Sequence, residues 1–152
     1  MKAVVIDTSP LVIHLVGSFD IGLVEKVSVC KQPEDEFRCI DRLFSIYSSI
    51  FITPYVLGEV FWLAKSRLGR KGKEVKELFT GYNEVLFKFV EVSVKKDEVL
   101  NFSNLEFGMV DASLFLAAKK MKCPILTSDH RFAQFSRGNG VDVVNFTEHL
   151  FS

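Results

Sequence analysis

Four acidic residues stand at positions where the side chains of an α/β protein can do chemistry. Asp7 directly follows a short apolar run, and Asp129 comes three residues after another. Asp111 lies in the first turn of a predicted helix, and Glu59 lies about two turns into a different one. Because open α/β sheets place their ligands at the carboxyl ends of their strands, Asp111 and Asp129 can face one crevice.

Each acid also has an ordinary structural interpretation. An aspartate between a strand and a helix usually caps the helix or closes a turn, and this applies to each of the three aspartates taken singly. Glu59 is less easily explained, since it lies among apolar side chains, where a carboxylate loses hydration unless a partner compensates. The ordinary explanation is an arginine partner, for which Arg67 and Arg131 are the candidates.

Taken together, the four acids favour a divalent metal site. Carboxylates brought within about 4–6 Å of one another repel, so folding would not gather them without a cation. Hard oxygen ligands select Mg²⁺ or Mn²⁺, and two such ions roughly 4 Å apart can activate water and stabilise a phosphodiester displacement. Four neighbouring hydroxyls can hold the carboxylates in place, namely those of Thr8, Ser9, Thr127 and Ser128. For Ser9, helix capping is the more ordinary role.

The elements that must position these acids alternate along the chain. Short apolar runs predict strands at residues 2–6, 50–52, 89–94, 125–126 and 141–144. Apolar spacings of three and four predict helices from Pro10 to Gly17-Ser18, at 37–49, 54–68 and 73–88, from Met109 to Cys123-Pro124, and at 146–151. This order predicts an α/β fold, in which residues 1–152 form a single three-layer domain with a five-stranded parallel sheet flanked by helices.

Some segments carry more detailed expectations. Ser9 or Thr8 is expected to cap the first helix, and Thr53 the helix 54–68, which is apolar nearly all round and so should be largely buried. Residues 96–107 predict a short helix and a loop, and residues 132–135 a brief turn. Residues 18–36 give no firm prediction, and 32–36 resemble a polar acidic loop.

Composition limits the class of protein. A chain of 152 residues with 48% hydrophobic residues can bury a sizeable core and is not disordered. No apolar run approaches the roughly 20 residues of a membrane helix, and an acid at position 7 argues against a signal peptide, so we expect a cytoplasmic protein. Cys30, Cys39 and Cys123 have no zinc-site spacing, which predicts free thiols.

The charge balance bears on nucleic-acid binding. The net charge is +0, from 19 basic and 19 acidic residues, which gives no general attraction to nucleic acid. The basic runs 67–73 and 119–122 can contact phosphate, although lysines at a helix end also complement the helix dipole. His130 can shuttle protons or touch phosphate, although a surface role is more usual.

Four motifs around the acids resemble those of the PIN-domain family, and they occur in the family's order. They are VVIDTS at 4–9, TPYVLGEV at 53–60, DASLFLAA at 111–118 and ILTSDHRF at 125–132. The resemblance implies a five-stranded parallel sheet and an Mg²⁺- or Mn²⁺-dependent endoribonuclease, often a VapC-like toxin of a toxin–antitoxin pair. It also implies that Asp7, Glu59, Asp111 and Asp129 bind the metals, that Thr127 supports the site, and that the protein is a homodimer.

Three functions follow from these observations. The first is an endoribonuclease that hydrolyses RNA with four carboxylates and metal-bound water, as a toxin silenced by an antitoxin protein or as an RNA-processing enzyme. The second is a catalytically silent PIN-like binding module, whose acids accept Arg or Lys from a protein partner. The third is phosphoryl transfer through Asp7, as in haloacid-dehalogenase-like phosphatases. Those enzymes need a second acid two residues later, where Ser9 stands, so this function ranks last.

Overall fold

The computed structural model describes residues 2–102 and 105–149. Its strands are β1 (Ala3–Ile6), β2 (Ser49–Ile52), β3 (Phe89–Glu91), β4 (Ile125–Thr127) and β5 (Val143–Asn145). They form one sheet in the order β3-β2-β1-β4-β5, and every neighbouring pair is parallel. The prediction of an α/β fold with a five-stranded parallel sheet is confirmed.

Helices flank this sheet. The α-helices are α1 (Thr8–Phe19), α2 (Pro33–Ile46), α3 (Pro54–Leu68), α4 (Gly72–Gly81), α5 (Asn83–Leu86), α6 (Lys96–Leu100), α7 (Met109–Met121) and α8 (His130–Gly138). Short 3₁₀ helices occupy Ile21–Lys26, Leu105–Phe107 and Phe146–His149. Within the described ranges, none of the helices has both the length and the apolar character needed to cross a bilayer.

The strand order fixes where a site can form. The chain leaves the central strand β1, builds β2 and β3 on one side, and returns to place β4 and β5 on the other. Helices that follow β1 and β4 therefore leave the sheet in opposite directions, and this reversal opens a crevice at the carboxyl ends of the two strands. Asp7 directly follows β1, and Asp129 comes two residues after β4. Both acids therefore lie at the switch point of the sheet.

The apolar sequence of the central strands reflects burial on both faces of the sheet. The side chains of Val4, Val5 and Ile6 in β1 are fully buried, as are those of Ile125 and Leu126 in β4. Such continuous apolar runs are typical of parallel strands covered by helices on both sides. The two strands that carry the acids are thus held rigidly in the core.

Helix α1 packs closely against α2, a contact that the sequence pattern does not predict. Gly17 and Ser18 were expected to end it, but the helix continues to Phe19. A Cβ atom at Gly17 would stand 2.2 Å from the ring of Phe37 in α2. Gly17 is therefore present because the Phe37 ring packs against the α1 backbone, and glycine tolerates a position inside a helix at moderate cost.

We expect Gly17→Ala to destabilise the protein by about 1 kcal/mol or more, because the overpacking cost of about 1–3 kcal/mol exceeds the gain in helix propensity. Urea denaturation measures the change. Gly58→Ala in α3 is the matched control, since nothing lies within 4 Å of a Cβ there. The control should gain about 0.5–1 kcal/mol from helix propensity alone. Equal gains in both variants would contradict the packing argument.

A buried polar chain ties α1 to α2 and to the α4–α5 junction. His14 Nε2 lies 2.8 Å from Asp41 Oδ1, and Nδ1 is hydrogen-bonded to the hydroxyl of Tyr82. Burial lowers the pKa of His14, and the Asp41 carboxylate opposes this. A neutral imidazole satisfies both contacts when Nε2 donates to Asp41 and Nδ1 accepts from the Tyr82 hydroxyl. Helix α1, which directly follows Asp7, is thereby anchored in the core.

Several boundaries differ from those predicted. The helix predicted at 73–88 is divided at Gly81 and Tyr82, because the Tyr82 side chain turns into the core towards His14. The strands predicted at 89–94 and 141–144 are Phe89–Glu91 and Val143–Asn145. Part of the loop predicted within 96–107, residues 103–104, and the end of the helix predicted at 146–151 lie outside the described residues.

Two segments without a predicted helix form one. The turn predicted at 132–135 is part of α8, a helix of nine residues whose buried face is formed by Phe132, Ala133 and Ser136. The acidic loop predicted at 32–36 is the start of α2, with Pro33 at the first turn. Acidic residues in a first turn stabilise a helix through its dipole, which explains the run after Pro33.

Helix α3 is less buried than predicted. Its cap is confirmed, because Thr53 Oγ1 accepts a hydrogen bond from the Val56 amide at 3.4 Å. However, only one face is buried, and Trp62 on another face is 63% exposed. The apolar residues all round the helix therefore do not mean complete burial, since α3 packs mainly against α1 and leaves its outer face open.

Candidate functional site

A cleft of about 390 Å³ lies at the carboxyl ends of β1 and β4. All four acids predicted from the sequence line it: Asp7, Glu59, Asp111 and Asp129. Hydroxyl and apolar side chains complete the wall, including Thr8, Ser9, Ser128, Leu63, Phe107 and Met109. Among the described residues that line the cleft, none is Lys, Arg or His. The structure thus gathers acids from four separate motifs without a basic side chain between them.

Asp7 is the most firmly held of the four acids. Its Oδ1 accepts a hydrogen bond of 2.6 Å from the Thr8 amide, and its Oδ2 accepts one of 2.6 Å from the Thr127 hydroxyl. Asp7 therefore caps α1, as its ordinary structural interpretation predicts, and the alternative caps Ser9 and Thr8 lie inside the helix. Capping and a position in the cleft are compatible, because a helix that starts at the strand end turns its cap residue towards the crevice.

Burial controls the protonation of Asp7. Only 8% of the residue is exposed, and this desolvation raises its pKa to about 6. The hydrogen bonds from Thr127 and Thr8 oppose the rise, while the charges of Glu59 and Asp129 add to it. The carboxylate is thus held in place by donors but destabilised by its acidic neighbours, a combination that a cation would relieve.

Thr127 connects the two strand ends. Its hydroxyl donates to Asp7 and accepts a hydrogen bond of 3.1 Å from the Asp129 amide. Asp129 in turn caps α8, with Oδ1 accepting from the Phe132 amide at 3.0 Å. The supporting position predicted for Thr127 thus agrees with its contacts. Asp129 is exposed, in contrast to Asp7, so its second oxygen remains accessible from the cleft.

Asp111 enters the cleft from the first turn of α7. Gly108 precedes this helix with a φ of 94°, a backbone conformation that residues with a side chain rarely adopt. Burial is the largest of the causes that raise the pKa of Asp111 to about 8, and the charges of Asp7, Asp129 and Glu59 supply the rest. Gly108 was not singled out from the sequence, although a glycine directly before a predicted helix could have drawn attention to the turn.

Glu59 reaches the cleft from α3. It is half-buried, and within the described residues it takes part in no salt bridge. The arginine partner that would explain it structurally is therefore not observed at Arg67 or Arg131. The Arg131 guanidinium instead lies over the ring of Phe107, 5.9 Å from its centroid.

A chain of hydroxyls joins the helices that carry Glu59 and Asp111. Thr53 Oγ1, at the start of α3, lies 2.9 Å from Ser113 Oγ in α7, and both residues are fully buried. Ser113 Oγ donates to the carbonyl of Val110 at 2.7 Å, so Thr53 is the donor between the two hydroxyls. No sequence pattern indicates this pair, whose members lie 60 residues apart in the chain and hold α3 against α7.

The other predicted hydroxyls play different parts. Ser128 Oγ donates to Ser9 Oγ at 3.4 Å, a contact between the two strand-end loops rather than with an acid. The Thr8 amide supports Asp7, whereas the buried Thr8 hydroxyl has no hydrogen-bond partner among the described residues. The hydroxyl of this cleft-lining residue therefore has a hydrogen bond left to form.

These donors fit a hard divalent cation. Four carboxylates and a spare hydroxyl around one cleft match the oxygen ligands that Mg²⁺ and Mn²⁺ prefer. In the described parts of the chain, however, no three His, Cys, Asp or Glu side chains are oriented as a ready-made ligand group. Lining the same cleft is a weaker condition than being oriented towards a single ion. A shared ion would therefore require some of the carboxylates to rotate towards it.

The remaining polar candidates lie elsewhere. His130 does not line the cleft, and its Nδ1 lies 3.2 Å from the Asn145 side-chain nitrogen. Lys119 and Lys120 stand in the last turn of α7, as the helix-dipole interpretation expects. Cys30, Cys39 and Cys123 are free thiols, as predicted.

Comparisons with known proteins give little guidance. No family model and no curated protein matches the chain. Among solved structures, the chain is similar to a domain of a functionally unknown protein from Methanocaldococcus jannaschii DSM 2661. The two are 17% identical, the match covers 95% of this chain and 90% of that chain, and the TM-score is 0.49.

Proposed function

We propose that this chain is a PIN-like endoribonuclease that depends on Mg²⁺ or Mn²⁺ and hydrolyses RNA phosphodiesters. One observation carries the proposal: four carboxylates from four separate motifs line a single cleft, and no basic side chain of the described residues lines it with them. Gathering acids without compensation costs stability, since the pKa of Asp7 is raised to about 6 and that of Asp111 to about 8. Such a cost is typical of functional sites.

In this proposal the four acids have different roles in metal binding. Asp7, held by the Thr127 hydroxyl and the Thr8 amide, is the fixed ligand against which the others adjust. Asp129, Asp111 and Glu59 enter from other elements and complete the ligand set. At neutral pH a carboxyl with a pKa of about 8 keeps its proton, so metal binding would release a proton from Asp111. When bound, divalent ions supply activation of water and neutralisation of the charge that develops on the phosphate.

A cleavage assay tests this proposal directly. Purified protein is incubated with a labelled single-stranded RNA and with Mg²⁺, Mn²⁺, excess chelator, or chelator followed by excess Mn²⁺. We expect cleavage with either metal, loss with chelator and recovery after metal is restored. Activity that persists in chelator would exclude the metal mechanism, and intact RNA under every condition would contradict the nuclease function.

The second candidate is a catalytically silent PIN-like binding module. Glu59 favours it, because this side chain forms no salt bridge within the described residues and the carboxylates of the cleft could accept Arg or Lys side chains from a protein partner. Purification with a small basic protein, and no nuclease activity after its removal, would support this function. Phosphoryl transfer through Asp7 is less favoured, since Ser9 stands where a second acid is needed and bonds to Ser128.

Biological context follows from the same proposal. The proposed ribonuclease could be a toxin that is silenced by an antitoxin and acts in the cytoplasm as a homodimer. It could equally be an RNA-processing enzyme. Phe61 and Trp62 on the outer face of α3 are exposed, which favours a partner surface on that helix. Light scattering on the purified chain measures the oligomeric state, and Trp62→Ser is expected to weaken a dimer that uses this face.

A further inference from the structure

The proposed substrate presents an electrostatic problem to this chain. RNA is a polyanion, the chain has a net charge of +0, and the cleft is lined by four carboxylates. Divalent ions in the cleft can balance the acids and the scissile phosphate, but the neighbouring phosphates of the strand still need positive charge. A basic side chain close to the cleft is therefore required, and the contacts around the cleft rim identify one.

Arg131 is placed to meet this requirement. It lies two residues beyond Asp129, and its guanidinium stands 5.9 Å from the ring centroid of Phe107, which lines the cleft. The Phe107 ring is itself supported by Phe132 at 5.8 Å and by Phe135 at 5.2 Å between ring centroids. The guanidinium is thus stacked on a supported aromatic surface at the edge of the acidic cleft.

The Arg131 side chain has no competing partner in the described part of the chain. It is exposed, and it forms neither a salt bridge nor a hydrogen bond there. Arg38, Arg70 and Arg137, in contrast, are paired with carboxylates of their own neighbourhoods. Stacking on Phe107 leaves the N–H groups at the edge of the guanidinium available to an anion.

Other anion-binding groups near this edge are already engaged. The start of α8 could attract phosphate, but Asp129 caps it and accepts from the Phe132 amide. The neighbouring His130 contacts Asn145 through Nδ1. Arg131 is therefore the group at the α8 edge of the cleft that combines positive charge, free donors and a fixed position.

We propose that Arg131, held by Phe107, binds a backbone phosphate next to the scissile one and so sets the position of the RNA strand across the cleft. This inference rests on the proposed ribonuclease function, because it assigns part of the substrate contact of the same site. Arg131 is a substrate-binding residue in this scheme and takes no part in the chemical step.

The test compares Arg131→Gln with Arg42→Gln, an exposed arginine of α2 that does not line the cleft and whose replacement makes the same change in charge. With a labelled single-stranded RNA and Mn²⁺, we expect Arg131→Gln to raise KM about tenfold with little change in kcat, as for loss of a phosphate contact. The slope of log KM against log salt should fall by about 0.7, the value for one contact on a single strand. Arg42→Gln should match the wild type.

Arg131→Lys refines the result. Lysine keeps the charge but loses the planar fork and most of the stacking on Phe107, so the salt slope should persist while KM remains raised. Thermal melts verify that each variant is folded. If KM and the salt slope of Arg131→Gln equal those of the wild type, the inference is overturned while the nuclease function stands.

A binding measurement separates failure of the inference from failure of the proposed function. Fluorescence anisotropy with the same RNA and Mn²⁺ follows binding whether or not cleavage occurs. RNA binding that weakens with Arg131→Gln in a protein that cleaves nothing would contradict the nuclease function but support the phosphate contact. If the wild type cleaves nothing and Arg131→Gln binds RNA as the wild type does, both are overturned.

Discussion

Replacement of Asp7 by Asn is expected to reduce the rate of RNA cleavage by about a hundredfold to a thousandfold. Asn keeps the size of the side chain, and its Oδ1 can still accept from the Thr8 amide while its Nδ2 donates to the Thr127 hydroxyl oxygen. What it removes is the negative charge of the fixed ligand, and one electrostatic group at a reacting centre is worth about 10²–10³ in rate. The measurement is kcat with a single-stranded RNA and Mn²⁺.

The same substitution should leave the fold intact. Asn is as good a helix cap as Asp, and it removes a buried carboxylate whose pKa burial raises to about 6. The melting temperature of Asp7→Asn should therefore equal or exceed that of the wild type near pH 7.5. Asp129→Asn should behave in the same way, because Asn can also cap α8.

Asp97→Asn is the matched control for this experiment. Asp97 is exposed, pairs with Lys96 and does not line the cleft, so the cleavage rate of this variant should stay within about twofold of the wild type. An undiminished rate in folded Asp7→Asn or Asp129→Asn would rule out the proposed mechanism. Loss of activity in Asp97→Asn as well would point to a general effect on the preparation.

Saturating Mn²⁺ is expected to raise the melting temperature, and to raise it more at pH 8 than at pH 5. A ligand that binds only the folded state at 100 times its Kd adds about 2.7 kcal/mol of stability. At about 2–4 °C per kcal/mol for a domain of this size, the rise at pH 8 is about 5–10 °C. Calorimetry with and without metal measures it.

The pH dependence follows from the two raised pKa values. Burial raises the pKa of Asp7 to about 6 and that of Asp111 to about 8, so the folded state favours their protonated forms. Their contribution to stability is fully present below the ordinary value of 3.8 and is lost as pH rises through about 6 and then about 8. Metal binds the ionised carboxylates and so offsets the stability that the metal-free protein loses as the pH rises. Because that loss is largest at high pH, the effect of metal on stability is also largest there.

Asp111→Asn provides the internal check. Without the Asp111 charge, the metal-free protein should lose less stability between pH 5 and pH 8, and Mn²⁺ should raise its melting temperature by a smaller amount. Asp97→Asn should retain the full response of the wild type. A melting curve of the wild type that does not move at saturating Mn²⁺ would argue strongly against a metal site in this cleft.

Local sequence patterns determined much of the architecture. The five strands and most of the helices were predicted from short apolar runs and from spacings of three and four residues, because these periods reflect the faces that strands and helices bury. The alternation of the two elements then implied a parallel sheet with its site at the carboxyl edge. Asp7 and Asp129 could be placed at that edge because each follows a buried strand.

Some elements escaped prediction because their burial depends on distant residues. Helix α8 was missed, since its 9 residues are fewer than the roughly 11–18 over which helical periodicity is recognised. The division between α4 and α5 arises from Tyr82, which bonds to His14, 68 residues earlier in the chain. Local periodicity contains no information about such a partner, so no pattern in that stretch could have located the break.

By itself, the sequence determined which residue types are available and which element carries each acid. Only the tertiary structure decided that Glu59 shares a cleft with the three aspartates and forms no salt bridge with Arg67 or Arg131. The same holds for the hydroxyl pair of Thr53 and Ser113 and for the stacking of Arg131 on Phe107. The physical reason is that charge, hydration and hydrogen bonding depend on neighbours in space, which the packing of the sheet and helices brings together from separate parts of the chain.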